Sequence, residues 1–291
     1  MKRLLALLLL FVVSAAVAAA PPYVVSSRTS NALADIWEYD LYRVDTSGRT
    51  RLTTRPGPEG EPAVDPTGRL LAFVAPVDGH FQLFTMPQAG GEPRQRTTGL
   101  TEAGHPSFDP TGTRLAFPAQ RDGGRFALAI LDLADDSVHE LVQGPFHCWS
   151  PEWSPDGRAI AFVSDRDGAP GSGDLYRVHV ETGTVDRLTD DPLAERDPHW
   201  SPDGRRLVYS RRVSRDHAEL WMLDLARATR APLFAEPGLN LQPSFTPSGD
   251  ALLFTSNRAG TFNIWQLDLA RGSLTPCDAG PHSDQNARPL P

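Results

Sequence analysis

Lysine is all but missing from this sequence: of its 28 basic side chains only Lys2 is a lysine, and the rest are arginines. The body of the chain therefore has no lysine for Schiff-base chemistry and no phosphate-binding loop ending in Gly-Lys-Ser/Thr. Cysteine is scarce as well. Cys148 and Cys277 lie more than a hundred residues apart, a spacing that neither pairs them nor makes a zinc site. Basic blocks are absent, and 36 acidic groups outweigh the basic ones for a net charge of −8, which argues against nucleic acid as a partner. What the chain has instead is 27 prolines, 24 glycines and a hydrophobic content of 40%. That is enough for a packed core, interrupted by turns too often for long helices.

The N-terminus carries a different signal. Lys2 and Arg3 precede an apolar run over residues 4–13 and small residues over 14–20. This is the order of a secretory signal peptide, expected over residues 1–20 with cleavage after Ala18 or Ala19. The run is about half the ~20 residues that span a bilayer, so no transmembrane anchor is expected after cleavage. No cysteine follows the cleavage region to carry a lipid. Without Lys2 and Arg3 the net charge becomes −10. The mature protein, residues 21–291, is expected to be a periplasmic or secreted monomer.

Internal repetition decides the fold. Five segments share one pattern: EPAVDPTGRLLAFV from Glu61, HPSFDPTGTRLAFP from His105, SPEWSPDGRAIAFV from Ser150, DPHWSPDGRRLVYS from Asp197 and QPSFTPSGDALLFT from Gln242. Their turn glycines, Gly68, Gly112, Gly157, Gly204 and Gly249, are spaced by 44, 45, 47 and 45 residues. In each unit a short strand bears Val64, Phe108, Trp153, Trp200 or Phe245. A Pro-polar-Gly turn follows, then an apolar strand with Phe73, Phe117, Phe162, Tyr209 or Phe254. Third strands are clear in DLYRVHV, ELWMLDL and NIWQLDL, and weaker fourth strands such as VDRLT close the units. Four short antiparallel strands per ~45 residues predict a propeller blade.

The fold class expected is therefore all-β: a six-bladed β-propeller of four-stranded antiparallel blades. The blades are placed at about residues 22–59, 60–103, 104–148, 149–195, 196–240 and 241–285. YVVSSR from Tyr23 resembles a second strand, so the first blade lacks its own first strand. Pro289 lies 46 residues after Pro243, where the next first strand belongs. The C-terminal strand is expected to join the 22–59 blade, closing the ring from both chain ends.

SPDGRAIAFVSDRDG from Ser154, echoed by SPDGRRLVYS at Ser201, resembles the repeat of the TolB-type propellers, WD-like repeats of bacterial envelope proteins. The resemblance covers about 265 residues and matches the C-terminal propeller of that family without its N-terminal α/β domain, for which residues ahead of Tyr23 leave no room. It implies envelope-protein partners, which for the family include a peptidoglycan-associated lipoprotein. Related repeats form half of some serine peptidases, but no Gly-x-Ser-x-Gly elbow occurs here.

Symmetry separates scaffold from site. Arg28, Arg121, Arg166 and Arg258 recur at one position after the second strand, and the expected role is to fasten a loop to a neighbouring blade. The residues before the marker prolines differ: Glu61, His105, Ser150, Asp197, Gln242 and, by extrapolation, Arg288. These are expected to ring one mouth of the central channel, with His147, Trp149 and His199 close by. That face collects loops from every blade onto one rigid platform, which suits a protein or peptide partner. His105, His199 and Asp197, with Glu61, are also ligand types for one divalent metal ion, which would make the mouth the site of a metal-assisted carbohydrate lyase or hydrolase. The acidic loop SDRDGAPGSGD (164–174) places Asp165, Asp167 and Asp174 together but lacks the order of a calcium loop, and reads as a connection. No nucleophile with an adjacent base is evident, so no catalytic residue is assigned. The expected function is a non-catalytic scaffold that binds an envelope protein or peptide at the channel mouth without a cofactor.

Overall fold

The computed structural model describes residues 20–28, 39–169, 171–278 and 282–291. The expected signal peptide lies outside them, apart from Ala20. Every regular element among the described residues is a strand, and the strands form six antiparallel sheets. In chain order, the contiguous blades start with Gly60–Val64, with the split pair Glu102–Ala103 and Ser107–Phe108, and with Cys148–Trp153, Glu195–Trp200 and Asn240–Phe245. The remaining blade holds Tyr23–Arg28, Asp40–Asp45 and Gly48–Arg51, and its inner strand is Ser283–Pro289 from the other end of the chain. The closed six-bladed ring anticipated from the repeats is thus the observed architecture.

The sequence pattern explains each blade. The second strands are near-continuous apolar runs buried on both faces, and the marker aromatics Phe73, Phe117, Phe162, Tyr209 and Phe254 are fully buried between neighbouring blades. The turn after each first strand is fixed by a hydrogen-bonded pair two residues apart. In DPTG turns the acid comes first: Asp65 Oδ1 accepts from the Arg69 and Leu70 N–H groups, both at 2.6 Å, while Thr67 donates to Oδ2 at 2.5 Å. In SPDG turns the two are exchanged: Ser154 donates to Asp156 at 2.6 Å and accepts from the Ala159 N–H at 3.0 Å. Gly157 supplies the positive φ, 70°, that this turn requires.

Closure of the ring has its own latch. Arg49, on the outer strand of the closing blade, donates to both carboxylate oxygens of Asp284 on its inner strand, at 2.7 and 3.1 Å. It also reaches Asp278 at 2.8 Å. Asp284 is almost wholly enclosed, so this bidentate pair ties the two chain ends together away from water. Two of the recurring arginines fasten blades as expected: Arg258 lies over Phe234 of the preceding blade and over Trp265, at 4.5 and 5.1 Å, and Arg166 lies over Phe146 and Tyr176 at 4.5 and 5.7 Å. Arg121 instead pairs with Glu140 of its own blade at 3.4 Å.

Candidate functional site

A bulge in every inner strand shapes the channel. Opposite two steps of the second strand, Val74 to Ala72, the first strand takes three, Gly60 to Ala63; the same offset separates Trp149 from Glu152, Arg196 from His199 and Leu241 from Ser244. The inserted residues carry left-handed backbone: Glu61 (φ 53°), His105 (37°), Ser150 (44°), Asp197 (54°), Gln242 (53°) and Asn286 (56°). Non-glycine residues adopt this conformation rarely and at a cost, and six in register mark a built feature. The ring includes five of the expected collar positions. The sixth is Asn286, not Arg288. In the closing strand the bulge falls on Asn286–Ala287 without a proline, so Pro289 stands where the other blades have Val64 or Trp153.

The collar side chains bind one another. Glu61 Oε1 lies 2.9 Å from His105 Nε2, and its Oε2 accepts from the His105 N–H at 2.6 Å. Burial opposes charge on both. Their mutual attraction outweighs it, holding Glu61 below the usual carboxylate range and raising His105, with help from Asp197. Ser150 donates to Asp197 at 3.2 Å. Gln242 Oε1 accepts from Thr255 at 2.9 Å and from the Asn286 N–H at 3.2 Å. The space left in this neck, about 20 Å³, holds roughly one water molecule.

His147 and Trp149 stand outside the collar on the same face, at its rim. Their rings stack at 5.0 Å, 9° from parallel. Arg125 Nη1 lies 2.5 Å from His147 Nε2, and the Arg196 guanidinium sits 5.2 Å from the Trp149 ring on the other side. Burial, reinforced by Arg125, lowers the His147 pKa and keeps the imidazole neutral, so Arg125 donates to it. Arg196 is anchored by donating to the Glu195 and Gly171 carbonyls at 2.8 and 2.9 Å. The result is a ledge of four adjoining groups: Arg125 bonded to the edge of His147, His147 stacked on Trp149, and Arg196 beside the Trp149 ring. Neither arginine was singled out in the sequence, because Arg125 and Arg196 occupy unrepeated positions.

His199 belongs to a second, deeper ring two residues beyond the collar: Ala63, Ser107, Glu152, His199, Ser244 and Arg288. Its Nδ1 donates to the Trp200 carbonyl at 3.0 Å, and its Nε2 meets Ser244 Oγ at 3.1 Å and Glu152 Oε1 at 3.4 Å. Burial lowers its pKa, with Arg288 adding to the effect. His105, Asp197 and His199 are thus divided between two levels. Among the described residues no three His, Cys, Asp or Glu side chains converge as metal ligands. Asp165, Asp167 and Asp174 are engaged separately, with the His147 N–H, the Tyr176 hydroxyl and Arg187. Cys148 and Cys277 are unpaired, and burial pushes both thiols up to about 12.

The ring widens below this level. On the turn side, the channel opens into a cavity of about 320 Å³ edged by Pro66, Pro155, Pro202, Pro247 and Pro291. Pro291 takes the corresponding place in the closing blade.

Comparison with known proteins agrees with this geometry. The TolB beta propeller domain model matches residues 98–217. The Tol-Pal system protein TolB of Bordetella pertussis is 28% identical over 156 residues, 52% of this chain and 34% of that protein, so the match spans about a third of that relative's length. The crystal structure of TolB from Acinetobacter baumannii superposes with a TM-score of 0.76 at 22% identity, covering 92% of this chain and 66% of that one. An oligogalacturonate lyase in complex with manganese shares the fold, with a TM-score of 0.60 at 14% identity over 82% of this chain and 70% of its own. The chain is a TolB-like β-propeller.

Proposed function

We propose that the protein is an exported, periplasmic scaffold that holds an envelope protein or peptide against the collar face and catalyses no reaction. The charged, apolar and small-residue order at residues 1–20 and the likeness to Tol-Pal system proteins support the location and the kind of partner. The ledge of Arg125, His147, Trp149 and Arg196 carries the binding reading. Trp149 is half-buried, held by stacking on His147 and by the nearby Arg196 guanidinium, so the ring is ordered before a partner arrives. Tryptophan and arginine in such fixed settings dominate the binding energy of protein interfaces. The neighbouring collar, closed by its own hydrogen bonds, provides a rigid floor that loses little entropy when a partner lands. Two arginines at the ledge favour a partner with acidic groups.

A photo-crosslinking residue in place of Arg125 on this face, compared with one in place of Asp203 on the opposite turns, tests the reading in cells. Adducts to an envelope protein are expected from position 125 alone. Adducts only from position 203 would move the interface to the other face.

A further inference from the structure

The deeper ring leaves two opposite charges unmatched. Arg288 projects from the closing blade and makes no hydrogen bond or ion pair among the described residues; the opposite charge it attracts, Glu61 of the collar, is already bound to His105. Glu152 comes from the blade three places around a ring of six, which sets it across the channel. Its one side-chain partner is His199 at 3.4 Å, an imidazole that burial keeps neutral. Both residues line the neck and the wider cavity, so they stand at the cavity floor. Partly buried charges that do not pair cost desolvation without recovering it. Nothing in the fold requires them: the equivalent positions in other blades are Ala63, Ser107 and Ser244.

We propose that the turn-side cavity binds a small dipolar ligand of dipeptide size, its carboxylate on Arg288 and its ammonium on Glu152. Ser107 and Ser244 flank the pair. Ser107 Oγ already accepts from the Trp153 N–H at 3.1 Å, which leaves its own O–H to donate to a carboxylate. Phe108, Trp153, Trp200 and Phe245 line the walls and offer apolar contact to the ligand's side chains. A volume of about 320 Å³, mostly apolar with a few placed charges, is that of a small-molecule site. This site lies on the face opposite the ledge and does not depend on it.

Calorimetric titration of the full-length protein with the dipeptide Ala-Phe, its N-acetylated form and its C-terminal amide is the test. Ala-Phe is expected to bind, and either cap to weaken binding by about tenfold or more, since each removes one charge-assisted contact. In Arg288→Gln the amide should bind as well as Ala-Phe, and in Glu152→Gln the acetylated form should. Trp149→Ala should leave Ala-Phe binding unchanged. The capped ligands probe the unaltered protein, so loss of folding in a variant does not spare the proposal. No binding of Ala-Phe at millimolar concentration, equal binding of a capped form, or cap effects that persist in both variants would overturn it.

Discussion

The two ends of the channel are built by the same six strands yet are opposites. At the turn end the five contiguous blades repeat one solution, a proline and a hydroxyl–carboxylate pair, and the opening is wide. At the collar end the six residues all differ, pair sideways and close the opening to the size of a water molecule. Repetition serves closure of the ring, because every blade must meet its neighbour at the same angle. Variation is free only where side chains face the channel or the rim. A recurring residue in this protein is therefore a packing statement, and a position that changes from blade to blade is where recognition is found.

Substitutions on the repeated side should damage stability and spare binding. Phe162→Ala removes a fully buried ring between blades, and a loss of about 3–5 kcal/mol is expected in denaturant unfolding. Arg49→Ala leaves the enclosed Asp284 carboxylate without its cation and should cost about 3 kcal/mol, with early proteolysis at the chain ends as its signature. Ser154→Ala removes one turn clasp, worth about 1 kcal/mol in the same measurement.

On the varied side, the expected signal is in pH dependence. Glu61 lies below its ordinary value of 4.5, so its contribution is present above that pH and is lost as pH falls through the folded value. His105 lies above its ordinary 6.5, so its contribution is full below about pH 6.5 and fades as pH rises through the folded value. The pair stabilises most between about pH 4.5 and 6.5. His105→Gln should abolish the decline above pH 6.5 while leaving the unfolding slope unchanged; an identical pH profile would show that the pair contributes nothing.

The contrast also explains what was legible in the sequence. Blade number and ring closure could be read because Gly68, Phe73 and their counterparts recur at near-constant spacing, and packing between blades enforces that spacing. The collar was legible up to Gln242 because a proline follows each bulge. It failed at Arg288, since ARP in the last strand places its proline two residues past the bulge. That His199 faces the channel one level deeper was not legible for a related reason: an inserted residue shifts the alternation of a strand, and with it the level at which the following side chains stand. The Arg125–His147–Trp149–Arg196 ledge joins residues from successive blades, a proximity that exists only after the ring forms.

The most direct test of the account is the affinity of the crosslinked envelope partner, purified, for the wild-type protein and for Trp149→Ala. A weakening of at least about tenfold, with the variant still folded at the assay temperature, is predicted, as for a central interface tryptophan. Unchanged affinity would contradict the assignment of the collar face as the binding surface.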